Sequence, residues 1–181
     1  MEISYEVIRS ARKTISIQIT PDGRVLVRCP NRMAKADIRR FVESKRNWIE
    51  KHLAEKPDRK SLTLFSAGEI QTLARQAAEV IPQRTAYFAA RMGVRYGRIT
   101  IRCQRTRWGS CSGEGNLNFN CLLMLVPPEV LDYVVVHELC HRKEMNHSAR
   151  FWAEVERILP DYRAQKQWLK EHGDQLIGRI P

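Results

Sequence analysis

The chain of 181 residues is long enough to bury a hydrophobic core without disulfide or metal support, and its composition, 43% hydrophobic and 28% charged, is typical of a soluble globular protein. Disorder as the main state is therefore excluded. The longest apolar run, Cys121 to Pro128, falls well short of the roughly 20 residues that a membrane-spanning helix needs, so we expect no membrane partner. The N-terminus carries charges where a signal peptide would carry its apolar stretch, so secretion by that route is not expected.

Cysteine usage indicates a reducing compartment. The five cysteines are odd in number and no two of them form a CxxC pair. A disulfide framework or a four-thiolate zinc site is therefore a poor interpretation. Reduced thiols in a cytoplasmic protein are the simplest one.

The whole chain has a formal net charge of +11. Its positive charge is concentrated in the first two thirds of the sequence. Residues 1–60 hold 15 basic and 8 acidic side chains, and residues 61–126 hold 8 and 3, whereas residues 127–181 hold 8 and 9. Such a field attracts nucleic acid, nucleotide phosphates or an acidic polypeptide. A solvated basic surface that aids solubility explains it equally well.

The first 60 residues predict strands followed by a basic helix. Apolar residues alternate over 3–9, and again on both sides of Pro21-Asp22-Gly23, which predicts a strand and then a β-hairpin. Residues 35–56 place apolar side chains at helical spacing on a basic background, and Pro57 ends that amphipathic helix.

Residues 61–181 predict helices around a second small set of strands. A long helix over 69–92 contains Pro82, which should bend or split it. Strands are predicted over 98–104 and 117–121, with a turn-rich segment, Arg107 to Gly113, between them. Three further helices are predicted over 127–143, 149–158 and 161–172. This order predicts an α+β protein, organised as regions 1–60 and 61–181 or as one continuous domain.

The strongest chemical motif lies in the helix predicted over 127–143. His137 and His141 are four residues apart and project from one face of a helix, so both imidazoles can reach one zinc ion. Glu138 follows the first histidine, where an HExxH glutamate stands beside the activated water and acts as general base. Three of the five histidines of the chain lie within eleven residues here, which favours a metal site over isolated structural histidines.

A third protein ligand is needed to leave one coordination position open for water. His147 follows His141 by six residues, the ligand spacing of extended HExxH sites, although the glycine of those sites is absent. We expect Asn146 to adopt the left-handed conformation, end the helix and turn His147 inward. Glu154 on the following helix is the alternative third ligand.

These residues predict hydrolysis by an activated water. Zinc lowers the pKa of water toward ~7 and polarises the substrate oxygen, and Glu138 accepts the proton. Stabilisation of the developing oxyanion then needs a further donor, for which Tyr133 and Arg107 are candidates. Core packing is the alternative interpretation of Tyr133.

Two stretches resemble the YgjP-like metallopeptidase-type family. They are the active-site helix with its downstream histidine and aromatic pair, and the arginine-rich turn before it: His137-Glu138-Leu139-Cys140-His141, Asn146-His147-Ser148, Phe151-Trp152 and Arg105-Thr106-Arg107-Trp108-Gly109-Ser110-Cys111-Ser112. The resemblance implies a zincin-like core, related to the minigluzincins and more distantly to the SprT and WLM groups. It also implies that His137, His141 and His147 bind the metal and that Glu138 is catalytic.

The same resemblance places the turn around Trp108 beside the substrate cleft. Arg105, Arg107 and Trp108 are therefore candidate substrate-binding residues together with Tyr133. In the alternative interpretation Trp108 fills the core and the arginines are solvated.

Three functions are compatible with these observations. The leading hypothesis is a zinc-dependent hydrolase of the metallopeptidase type that cleaves peptide bonds. The first alternative is a metal-dependent hydrolase of a nucleoside triphosphate such as UTP, acting as a pyrophosphatase or phosphohydrolase, with the arginines of residues 102–107 binding phosphates. The second is a SprT-like protease associated with nucleic acid through its basic N-terminal half.

Overall fold

The computed structural model describes residues 3–20, 23–54 and 62–181. These residues form two compact units that divide between Thr63 and Leu64, each with its own hydrophobic core. The centre of the turn predicted at residues 21–23 and the end of the helix predicted at residue 57 lie outside the described residues.

The N-terminal unit begins with a three-stranded sheet made of β1 (Glu6–Ser10), β2 (Ser16–Ile19) and β3 (Val25–Pro30). Strand β3 lies in the middle, antiparallel to β2 and parallel to β1. The predicted antiparallel pairing of the hairpin strands is thus confirmed. Val27 and Cys29 are buried while Arg28 between them is exposed, as alternation along a strand requires.

The basic segment forms two helices, α1 (Lys35–Ser44) and α2 (Arg46–Ala54), so the prediction of one continuous helix over 35–56 was wrong. The break falls at Lys45, whose backbone leaves the helical conformation. It allows α1 to pack against β3 and α2 against β2, which a straight helix of that length could not do.

The C-terminal unit begins with α3 (Ala67–Met92), whose N-terminus is closed by a reciprocal capping box. The Ser66 hydroxyl accepts a hydrogen bond from the Glu69 N–H, and the Glu69 carboxylate accepts one from the Ser66 N–H. Pro82 lies inside the helix without splitting it, and Gly93 ends it in the left-handed conformation at φ 64°.

A second three-stranded sheet follows, made of β4 (Ile99–Arg102), β5 (Gly109–Cys111) and β6 (Leu117–Asn120). Its order is β4-β6-β5, with β6 parallel to β4 and antiparallel to β5. The segment that we predicted as a turn therefore contains an edge strand. Its three residues, Gly-Ser-Cys, are too few and too small to show an alternating apolar pattern.

The remaining elements are helical: a 3₁₀ helix (Cys121–Leu125), α4 (Pro128–Cys140), α5 (Ala149–Ile158) and α6 (Tyr162–Gly178). The α+β class is confirmed. Helix α6 continues through Gly173, where we expected it to stop. This glycine does not end the helix but allows close packing against another side chain. The indole of Trp108 lies 3.1 Å from the place that a Cβ of residue 173 would occupy.

Helix α4 is the centre of this unit. Val134, Val135 and Val136 are buried, and the helix packs against α3, α5, α6 and β5. All five cysteines of the chain are free. In the described part of the chain, no helix combines the length and the apolar character that a membrane crossing requires.

Asn120 fastens the segment between β4 and β5 to this core. Its buried side-chain amide donates hydrogen bonds to the carbonyls of Gln104 (2.8 Å) and Arg107 (3.1 Å), and its oxygen accepts one from the Leu122 N–H (3.2 Å). One side chain therefore sets the path of the chain just before Trp108.

We expect Asn120→Ala to lower the free energy of unfolding by about 2–3 kcal/mol, because it leaves buried backbone groups without partners. Urea unfolding followed by tryptophan fluorescence measures this loss. Asn118→Ala is the control, since Asn118 is half-buried on the same strand and bonds only the side chains of Arg102 and Ser110. Equal losses in the two variants would contradict the role given to Asn120.

Candidate metal centre and active site

Three histidine side chains converge at the end of α4. His137 lies in the last turn of the helix, His141 is its C-terminal cap, and His147 stands in the loop before α5. One ligand atom from each ring lies within 4.8 Å of the others, and the Nε2 atoms of His137 and His147 are 3.0 Å apart. Nitrogen ligands that bind zinc tetrahedrally at ~2.0–2.1 Å stand at a similar spacing, so this donor set fits the metal that the motif predicts.

The contacts around the rings indicate which nitrogens can face a cation. The Nδ1–H of His141 donates to the backbone carbonyl of Glu144 at 3.1 Å, so Nε2 is the nitrogen with an available lone pair. Nε2 of His137 faces that of His147, while its Nδ1 is buried without a hydrogen-bond partner. Burial, aided by the charge that the other two histidines would carry, lowers the pKa of His137 to about 3 and keeps the ring neutral, as a metal ligand must be.

The turn that brings His147 back differs from our prediction. Helix α4 ends at Cys140, and hydrogen bonds from the N–H groups of residues 142–144 to the carbonyls of Leu139 and Cys140 close it. No described residue other than glycine has a positive φ, so the expected left-handed Asn146 was wrong. Turning begins at His141 and is spread over several residues, which makes a left-handed residue unnecessary.

Two ion pairs and a cap hold this loop against α5. Lys143 pairs with Glu154 at 2.5 Å and Arg150 pairs with Glu144 at 3.3 Å. Ser148, directly after His147, caps α5 by accepting a hydrogen bond from the Phe151 N–H. His147 is thus fixed from both sides.

Glu154, the alternative third ligand, is engaged elsewhere. Its carboxylate bonds Arg157 as well as Lys143, and these two cations lower its pKa to about 2. It is not part of the group of ligand atoms formed by the three histidines.

Aromatic rings surround the histidines. The ring of Phe151 is fully buried, and its centroid lies 4.7–4.9 Å from those of all three imidazoles. Trp152 stands 5.8 Å from His147 and 5.9 Å from His137. These rings limit the rotation of the imidazoles and exclude water from the protein side of the group.

Glu138 is buried beside the histidines and lies directly against the backbone of β5. A Cβ added at Gly109 would stand 2.6 Å from its Oε1, 2.7 Å from its Cγ and 2.9 Å from its Cδ. Burial raises the pKa of Glu138 to about 8, against the opposing charge of Arg107. Only a residue without a side chain at position 109 leaves room for this carboxyl group.

Arg142, which follows the second histidine of the motif, fastens α4 to two neighbouring loops. Its Nε donates to the carbonyl of Arg95 and its Nη1 to the carbonyl of Gly113, both at 3.1 Å. The guanidinium fills the space beside Gly115, whose φ is 88°. Sequence reasoning overlooked Arg142, because nothing in the local pattern distinguishes it from a solvated arginine.

The candidate substrate-binding residues have different surroundings. Arg107 is exposed, and its charge acts on Glu138. Arg105 is also exposed and bonds none of the residues described. Trp108 is half-buried against Gly173, and Tyr133 is buried beside Tyr162 with its ring 5.9 Å from that of His137. Burial raises the pKa of Tyr133 to about 12, so its hydroxyl keeps its proton.

Lys166 is a further cation near the histidines that sequence reasoning did not find. Its Nζ lies 3.9 Å from the centroid of the Trp152 ring, and its charge helps to lower the pKa of His137. The stacking of Trp152 on Tyr162, which brings α5 and α6 together, is what places it there.

Most of the chain matches a known protein family. Residues 13–70 and 66–172 match the model of the family described as YgjP-like, metallopeptidase domain. No curated protein shows significant similarity to the chain.

Two solved metallopeptidase zymogens each align with 51% of this chain. Abylysin of Pyrococcus abyssi shows 20% identity and a TM-score of 0.46 over 94% of its own length. Jannalysin of Methanocaldococcus jannaschii shows 22% identity and a TM-score of 0.44 over 93% of its length. Because the family model covers most of the chain, including all three histidines, this protein belongs to the YgjP-like metallopeptidase family.

Proposed function

We propose that this protein is a zinc-dependent hydrolase of the metallopeptidase type that cleaves peptide bonds. The observation that supports it best is the convergence of three imidazoles beside a buried carboxylate, all in one motif and its following loop. The family is a metallopeptidase family, which supports a metal-dependent hydrolase as the general class.

In this proposal His137, His141 and His147 hold the ion, and the neighbouring groups support the reaction. Bound zinc would activate a water molecule and polarise the carbonyl of the substrate. Burial alone favours the protonated form of Glu138, but the charge of a bound cation would favour the carboxylate, which accepts the proton from the attacking water and passes it to the leaving amine. The Glu144 carbonyl holds the His141 ring in the required tautomer, and Phe151 keeps bulk water away from the imidazoles.

We expect purified protein to contain close to one zinc ion per chain, and Glu138→Gln to keep the metal while losing peptide hydrolysis by at least ~100-fold. The amide has the size of the carboxylate but accepts no proton. Metal analysis together with cleavage of a peptide mixture, with and without chelator, provides the measurement.

His147→Ala tests the third ligand in the same assays. It should lose most of the bound zinc, because two imidazoles alone hold the ion weakly. His172→Ala is the control, since His172 lies on α6 and stacks on Trp168 outside the group. Full zinc content in His147→Ala would contradict the ligand assignment, and loss of zinc in Glu138→Gln would contradict the role of the glutamate.

Gly109→Ala is expected to lower kcat by roughly tenfold or more, because the new methyl group displaces the carboxyl group of Glu138. Zinc content and KM should stay near the wild-type values, since the three atoms nearest the added methyl group all belong to Glu138. Steady-state kinetics with a peptide substrate found in the cleavage screen measures the effect.

Gly113→Ala is the matched control. Gly113 lies in the adjoining turn, has no atom within 4 Å of its added Cβ and has no positive φ. If Gly109→Ala and Gly113→Ala have the same kcat, the contact between β5 and Glu138 has no role in positioning the base.

Hydrolysis of a nucleoside triphosphate is the second candidate, favoured by the cations around the histidines. The charge of Arg107 acts on Glu138, and the charge of Lys166 acts on His137. Two positive charges at these positions suit an anionic substrate, and the same activated water can attack phosphorus.

Parallel assays with peptides and with nucleoside triphosphates such as UTP distinguish the two candidates. For a nucleotide substrate, Arg107→Ala and Lys166→Ala should each lower kcat/KM at least about tenfold, whereas cleavage of an uncharged peptide should change little. Release of phosphate or pyrophosphate without any peptide cleavage would reject the peptidase proposal.

A further inference from the structure

Strand β1 forms one edge of the N-terminal sheet. It pairs with β3 on one side, and no strand among the described residues pairs along its other side. Backbone N–H and C=O groups on such an edge can accept another extended chain. Tyr5, Val7 and Arg9 are two residues apart, so they face the same side of the sheet.

A groove of about 230 Å³ lies between this side of β1 and helix α1. Lys35, Ile38 and Arg39 line it from the helix, at the i, i+3 and i+4 spacing that places side chains on one face. Val7 is 42% exposed there and Ile38 is buried beneath. The groove thus joins an apolar floor to a cationic rim made of Arg9, Lys35 and Arg39.

The positive charges of these three residues are not neutralised by a carboxylate of the described residues. None of them forms an ion pair with a carboxylate of the described residues, whereas Arg40 and Arg46 in the same helical segment do. Arg9 is also fixed in place, because its Nη1 donates to the carbonyls of Asn31 (2.7 Å) and Met33 (2.9 Å). A guanidinium held in this way loses little side-chain entropy when it binds an anion.

We propose that this groove binds an extended acidic peptide segment that adds to the sheet along β1. Main-chain hydrogen bonds to the free edge would supply affinity, and alternate side chains would enter the groove, where apolar groups meet Val7 and carboxylates meet the cationic rim. The site goes beyond hydrolysis, since it gives the N-terminal unit a place to hold an acidic segment of a partner protein, whereas the histidines belong to the C-terminal unit.

The groove suits a peptide better than a nucleic acid. An extended peptide can pair with a free strand edge through main-chain hydrogen bonds. A phosphodiester backbone cannot pair with it in this way. Single strands of nucleic acid also use exposed aromatic rings for stacking, but Tyr5 is half-buried against the core of its unit. Trp48 is exposed on α2 but lies against His52, with ring centroids 4.2 Å apart and the rings tilted by 31°.

Fluorescence anisotropy on the full chain tests the proposal, with chelator present to prevent any cleavage of the probe. The probe is a fluorescein-labelled octapeptide of alternating glutamate and valine. Two comparison peptides are used. One carries lysine in place of glutamate. The other carries N-methyl groups on alternate backbone nitrogens, so that these nitrogens cannot donate hydrogen bonds. We expect the glutamate peptide to bind at least tenfold more tightly than either.

The double variant Lys35→Glu/Arg39→Glu should raise the Kd of the glutamate peptide at least tenfold. Arg40→Glu is the control, because Arg40 is an exposed cation on the same helix but does not line the groove. The Kd of the glutamate peptide for this variant should stay within twofold of the wild-type value. Both changes are on exposed positions, and circular dichroism verifies that each variant is folded.

Three outcomes would overturn the proposal. The first is absence of binding up to millimolar peptide. The second is equal affinity for the N-methylated peptide, which would exclude pairing along β1. The third is tighter binding of a 12-nucleotide oligothymidylate that the double variant weakens, which would assign the groove to nucleic acid. Because binding is measured without metal or turnover, the result does not depend on whether the chain is a peptidase.

Discussion

The close approach of strand β5 to helix α4 is the contact on which the candidate active site depends. Gly109 brings the backbone of the edge strand against the carboxyl group of Glu138, which directly follows His137 on α4, the helix that His141 caps. Sheet, helix and base therefore meet at one contact, where an added side chain would displace the carboxyl group of Glu138. Asn120 and Arg142 support it by fixing the segments on either side.

The electrostatics of this site combine burial with flanking positive charge. Burial keeps His137 neutral and raises the pKa of Glu138 to about 8, so desolvation weakens the charged form of both groups. Arg107 and Lys166 then add two cations around them. This combination suits a site that receives a divalent cation and an electron-rich substrate, and it is the reason that two substrate classes need to be compared.

The N-terminal unit has a different use of charge. Carboxylates of the same segment neutralise part of the basic helical region, as Arg40 and Arg46 show, while Arg9, Lys35 and Arg39 are left around an apolar floor. A net charge counted over the segment describes the attraction of anions in general. The pattern of ion pairs and the free edge of β1 together favour one kind of anion, the extended acidic peptide proposed above.

The sequence by itself determined the α+β class, the main helices and the residues of the candidate metal motif. These features depend on the spacing of residues along the chain, which the sequence contains directly. Tertiary structure decided the rest. Strand β5, the break at Lys45 and the passage of α6 through Gly173 each arise from a packing partner far away in the chain. The same holds for Lys166, Arg142 and the turn that places His147, since no local pattern records which distant groups a side chain will meet.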